Sequence, residues 1–174
     1  ALLAQAFFGL TICNVILYLS FEEDPGYPCL RRRPPLSGIA SKRIVESPDE
    51  AVFHRIAEHD VALAIWHRPQ AEELAGWLDS LPAERLPEGH FAGPVACVPA
   101  RLAALCDLVE LADSPGRRAL IDDIAALARC FTERAGSRDV DLRLEVIAHD
   151  ACWRFHRDHV GYRLNATYRG PGTQ

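Results

Sequence analysis

The sequence predicts an α+β fold, with N-terminal helices packed on a C-terminal, mainly antiparallel sheet. Two observations carry this. The middle of the chain repeats apolar residues with a helical period, and the last third switches to strict alternation. Leu120, Ile124, Leu127, Ala128 and Phe131 stand for the first. Val140, Leu142, Leu144 and Val146, interleaved with Asp141, Arg143 and Glu145, stand for the second. Helices first and strands last read as α+β. An incomplete double-stranded β-helix is one form such a sheet could take.

Residues 1–20 carry no charge. Twenty such residues approach the length that spans a bilayer, although Gln5, Thr11 and Asn14 interrupt the run. A membrane anchor or the apolar part of a leader is one reading. A buried helix or strand pair is another, and residues foreign to the domain a third. Pro25, Pro28, Pro34 and Pro35 with Arg31-Arg32-Arg33 follow as a linker. Residues 1–41 are therefore expected to lie outside the domain, and residues 42–174 to form it as a single unit. The chain has no Met and stops just after a strand-like run, so it reads as a piece, truncated at the C-terminus, whose sheet keeps an unpaired edge.

Within 42–174, Ser47-Pro48-Asp49-Glu50 predicts a helix start: Ser47 caps, Pro48 takes the first helical position and Glu50 completes a capping box. Ala51, Val52, Phe53 and Ile56 supply its apolar face. Val61–Trp66 reads as a buried strand. Pro69 opens a second helix, with Leu74, Trp77, Leu78 and Leu81 at helical spacing. Pro82, Pro87, Gly89, Gly93 and Pro94 predict a loop. A third helix follows over 99–111, and a fourth between the cap at Ser114-Pro115 and the stop at Gly136. Strands are expected over 140–147 and 162–168.

The chain has 174 residues, 49% of them apolar and 25% charged, with a net charge of −5. An acidic chain whose one basic run is an Arg triplet is unsuited to sequence-independent nucleic-acid binding, which needs Lys and Arg to displace counterions. No membrane partner is expected unless residues 1–20 are a native anchor. Six Cys occur at wide spacings without a CxxC, which points to a reducing, cytoplasmic setting. Cys106 and Cys130 fall on helical apolar faces as small hydrophobes. Cys97 precedes a helix start, where a thiolate could be stabilised, but is expected to be buried.

The chemistry concentrates between the last two strands. His149, Asp150, Cys152, His156, Asp158 and His159 fall within eleven residues. His156 and Asp158 stand two apart, so in an extended segment both point to one face and can share an ion. Imidazole with carboxylate suits Zn(II) or Fe(II). A less favoured set is His149, Cys152, His156 and His159, whose spacing needs a helix. The bland reading, a His and an Asp that hold a turn, stays open. His54 and His59 read as surface residues, and His67 and His90 have no partner nearby in sequence. No GxSxG and no phosphate-binding glycine loop occurs.

Phe155-His156-Arg157-Asp158-His159-Val160, Tyr162-Arg163-Leu164 and Thr167-Tyr168-Arg169-Gly170-Pro171-Gly172-Thr173 together resemble the signature of a bacterial family known as domain of unknown function 1826. Leu63-Ala64-Ile65-Trp66 and Leu142-Arg143-Leu144-Glu145-Val146 are similar to it as well. Gln174 stands where the family has Glu followed by Trp. The resemblance implies a soluble bacterial protein linked to zinc and metal homeostasis, with His156 and Asp158 as ligands and Arg163 and Tyr168 toward a substrate. A His-x-Asp entering a strand also looks like the start of the iron site of 2-oxoglutarate-dependent oxygenases. Three functions follow as expectations: a metal-binding protein, an oxygenase-like enzyme, and a non-catalytic structural or interaction domain.

Overall fold

The structure, a computed structural model, describes residues 12–19, 43–147 and 162–170, and within 12–19 the side chain of Val15 alone. In chain order the strands and helices are β1 (Ile12–Leu19), β2 (Arg43–Ser47), β3 (Val61–Trp66), α1 (Glu72–Ser80), β4 (Gly89–Pro94), α2 (Val98–Leu108), α3 (Pro115–Ala135), β5 (Asp139–Ile147) and β6 (Tyr162–Arg169). This is an α+β architecture. The chain divides into two compact units, Pro25–Ala71 and the remainder, Ala1–Asp24 with Glu72–Gln174. The expected single unit from residue 42 thus contains a boundary at Ala71.

The smaller unit folds around its own core because it can bury its apolar side chains locally. β2 and β3 pair in parallel, joined by a 3₁₀ helix, Glu50–Ala57. Val45, Val52 and Val61 form the core, with Phe53, Ile56 and Trp66 packed against it. Trp66 donates its indole N–H to the Pro48 carbonyl at 3.0 Å and meets Phe53 edge-on at 5.7 Å. The helix start differs from expectation: Asp49 is the cap, accepting from Ala51 N at 2.9 Å. Ser47 ends β2, and its hydroxyl instead accepts from Asp49 N at 3.0 Å. β3 has the predicted span but only one covered face, with Val61 1% and Leu63 41% exposed.

In the larger unit four strands form one sheet in the order β4-β5-β1-β6, every neighbour antiparallel. β1 therefore lies between β5 and β6. It falls within the stretch 1–41 that was expected to stand outside the domain. An uncharged run gives no period by which to tell a doubly flanked strand from a membrane or foreign segment. A double-stranded β-helix would need a second antiparallel sheet, and β2 with β3 is a parallel pair. β4 was expected as loop. Its glycines and Pro94 argue against a strand, but it is an edge strand beside β5, where a proline is tolerated.

The helices cover one face of this sheet: α3 packs on β1 and β5, α1 on β6, and α2 on β4. α3 begins as predicted, with Ser114 accepting from Arg117 N, and ends where Gly136 adopts φ 66°. Gly116 lets the start of α3 approach α1, since a Cβ there would run into the Trp77 ring. Val140, Leu142 and Leu144 of β5 are buried with Val15, Leu120 and Ile124, while Arg143 between them is exposed. Among the described residues no helix is long and apolar enough to cross a membrane.

Val15 is fully buried and lies in register with Leu144 on one side and Ala166 on the other. Val15→Ala is expected to cost about 2 kcal/mol in urea unfolding, from lost burial plus the cavity left behind. A loss below about 0.5 kcal/mol, the size of an ordinary surface substitution, would show that β1 does not help hold the sheet.

Candidate functional site

The residues predicted to hold a metal, His156 and Asp158, and the lesser candidates His149, Cys152 and His159, lie outside the described residues, as does Gly161. The two strands that flank them are described. β5 ends with Ile147 opposite Ile12, and β6 begins with Tyr162 opposite Leu19, so these two ends lie at opposite ends of β1.

β6 carries Arg163 and Tyr168 on opposite faces. Arg163 is exposed on the face away from the helices and donates from Nε to Asn165 Oδ1 at 3.0 Å. Tyr168 faces the helices, is 2% exposed, and donates its hydroxyl to Asp123 Oδ2 of α3 at 2.5 Å. Strand alternation separates two residues five apart, so the pair assigned to substrate is not brought together. Tyr168 is a strut between sheet and helix: its ring fills the core and its polar tip meets a carboxylate rather than water. The register irregularity in this strand falls at Tyr168, where Asn14 pairs with Thr167 and Cys13 with Arg169. It lies at the far end of the strand from Arg163, which stays on the outer face. Arg169 adds a second tie, donating to the Leu81 carbonyl at 2.9 Å beside Asp79 at 3.7 Å.

The outer face also holds a pair that the sequence did not suggest. His90 Nε2 lies 2.7 Å from Asp141 Oδ1 across β4 and β5, on side chains 51% and 27% exposed. With Nε2 donating, Nδ1 is left as an acceptor. In the smaller unit His67 Nε2 likewise meets Glu46 Oε2 at 2.9 Å. Both partners are distant in sequence, so only the strand pairing reveals them; the charged alternation of β5 was the one signal that a polar face existed. His54 and His59 are exposed, as expected. Among the described residues no three His, Cys, Asp or Glu side chains lie close enough to hold a metal ion.

The family model described as "Protein of unknown function (DUF1826)" matches residues 47–174. The chain belongs to this family. No curated protein and no solved structure matches it. The family match spans the His-x-Asp segment, both flanking strands and the outer-face pair, and it crosses the boundary between the two units.

The described cysteines are free thiols in three environments. Cys106 is 1% exposed in the α2 face, and burial pushes its thiol above the ordinary range, with Arg117 opposing. Cys130 is partly covered, and its Sγ accepts from Arg134 Nη1 at 3.0 Å. Cys97 is exposed at the start of α2, not buried as expected, because it sits in the turn ahead of the helix rather than on its apolar face.

Two measurements follow. Tyr168→Phe is expected to cost about 1–3 kcal/mol in chemical unfolding, because Asp123 loses this donor; an unchanged midpoint would show that the strut is idle. With iodoacetamide at neutral pH and peptide mass mapping, Cys97 is expected to be alkylated in the folded protein while Cys106 is protected until unfolding. Equal rates at the two would contradict the assigned burial.

Proposed function

We propose that this family member is a divalent-metal-binding protein in which His156 and Asp158 are ligands to Zn(II) or Fe(II). The observation that supports this reading is a ligand-rich run, residues 149–159, leading into a strand tied down at both neighbours. β6 is paired along β1 and joined to α3 by the Tyr168–Asp123 hydrogen bond. Ligands attached to an anchored strand lose less freedom on binding than ligands on a free loop. The donor set fits the metals: a neutral imidazole and a carboxylate serve both ions, and the ions would offer Lewis-acid chemistry. Arg163, exposed on the outer face near the start of β6, is among the described residues the arginine nearest in sequence to the His-x-Asp pair and a candidate for an anionic substrate or cosubstrate. We place the protein in the bacterial cytoplasm, where the thiols of Cys97, Cys106 and Cys130 stay reduced.

The test is metal content after purification together with zinc and Fe(II) affinity for the whole chain. His156→Ala and Asp158→Ala should each weaken binding by more than the roughly 10–100-fold typical of losing an outer-shell partner. Retained binding in both, with loss in His149→Ala or Cys152→Ala, would transfer the site to the cysteine-containing set. No change in any variant would leave a turn-holding role. Succinate release from 2-oxoglutarate by the Fe(II)-loaded protein would promote the site to an oxygenase centre.

A further inference from the structure

The larger unit has a groove of about 390 Å3 beside the C-terminal end of α3. One wall is the turn after β4, Pro94, Val95 and Ala96; the other is the last turns of α3, at Arg129 and Thr132, with Arg138 closing the end. The turn is tied to the α3–β5 connection, since Val95 N donates to the Arg138 carbonyl at 2.9 Å. The Thr132 hydroxyl is spent inside the helix, donating to the Ala128 carbonyl at 2.9 Å and reaching that of Arg129 at 3.1 Å. The turn therefore presents mainly apolar surface, and the volume lies in the range of small-ligand sites.

The arginines set this groove apart. Arg117, Arg118 and Arg169 of the same unit are each engaged with a carboxylate or carbonyl. Arg129 and Arg138 make no side-chain hydrogen bond or ion pair among the described residues, and both line the groove. Arg129 and Glu133 are spaced four apart on α3, as for a helical ion pair, yet they form none. Two unengaged guanidinium groups at the edge of an apolar concavity match an anion with an apolar body, because guanidinium pairs with carboxylate through two parallel hydrogen bonds. Glu133, also in the lining, opposes that charge and limits the groove to one anionic group.

We propose that this groove binds a small amphiphilic carboxylate, its chain against Pro94–Ala96 and its carboxylate between Arg129 and Arg138. The probe is octanoate below its micellar concentration, titrated into the 15N-labelled chain and followed calorimetrically and by amide shifts. Saturable binding is expected, with shifts at Val95, Ala96 and Thr132. Arg129→Ala and Arg138→Ala should each weaken it by about tenfold or more, the worth of a hydrogen bond to a charged group. Glu133→Gln should tighten it, and Arg101→Ala, an exposed arginine of α2 outside the groove, should leave it unchanged. Circular dichroism on each variant separates lost binding from lost fold. Non-saturable shifts, equal binding of neutral 1-octanol, or indifference to both arginine substitutions in folded protein would overturn the proposal.

Discussion

The larger unit depends on a single strand inserted between two others. β5 and β6 run parallel to each other, and each meets β1 antiparallel. Without β1 they would stand two strand spacings apart, about 9.6 Å, too far for any main-chain hydrogen bond. β1 supplies donors and acceptors to both and a floor for α3 through Val15, which lies between Leu144 and Ala166. The apolar stripe of α3, Leu120, Ile124, Leu127 and Ala128, is buried where α3 packs on the sheet at β1 and β5 and on the neighbouring helices α1 and α2. Helix and sheet are thus stabilised by the same eight residues, Ile12–Leu19.

Closing the sheet this way sorts its chemistry by face. On β5 the even-numbered residues Val140, Leu142 and Leu144 are buried, and Asp141 and Arg143 turn outward. On β6 Arg163 and Asn165 turn outward and Tyr168 inward. Ionisable groups carried by these strands meet water, where holding a charge costs little, and the buried phenol is satisfied by Asp123. The outward side is consequently where titratable groups collect. His90 and Asp141 bridge β4 and β5 there, placing a polar pair at the exposed edge strand β4, and polar edges guard against edge-to-edge association.

What was legible in the sequence was what local chemistry encodes. Ser114 and Gly136 bracket α3 because a hydroxyl cap and a left-handed glycine act within one helical turn, and both are in place. Val61–Trp66 was read to the residue, and β5 and β6 to within one residue at each end, from branched side chains and alternation. Three features needed the partner to be seen. β1 is uncharged throughout, so its pairing on both sides leaves no periodic trace. β4 is strand only because β5 lies beside it, its glycines and Pro94 signalling loop. Asp49 displaced Ser47 as cap once the pairing of β2 extended to Ser47 and took it into the strand. The opposite placement of Arg163 and Tyr168 follows from strand parity, which the spacing of the two residues already carried, and the register irregularity of the strand falls at Tyr168. The predicted ligands His156 and Asp158 fall outside the described residues.

The anchoring of β6 also bears on how the two candidate chemistries of this unit relate. β4 and β6 are the two edges of the four-stranded sheet, three spacings or about 14 Å apart. A metal–nitrogen bond is about 2 Å long, so an ion held by a side chain of β6 itself cannot also take His90 of β4. The His90–Asp141 pair lies at the β4 edge and follows from the pairing of β4 with β5. The groove at Pro94–Ala96 adjoins that same edge, where β4 gives way to the turn before α2. Its cations come from α3 and the α3–β5 connection and not from β6. The groove and its arginines thus lie toward the β4 edge of the sheet, and the strand that carries Arg163 and Tyr168 is the opposite edge, with β5 and β1 between them.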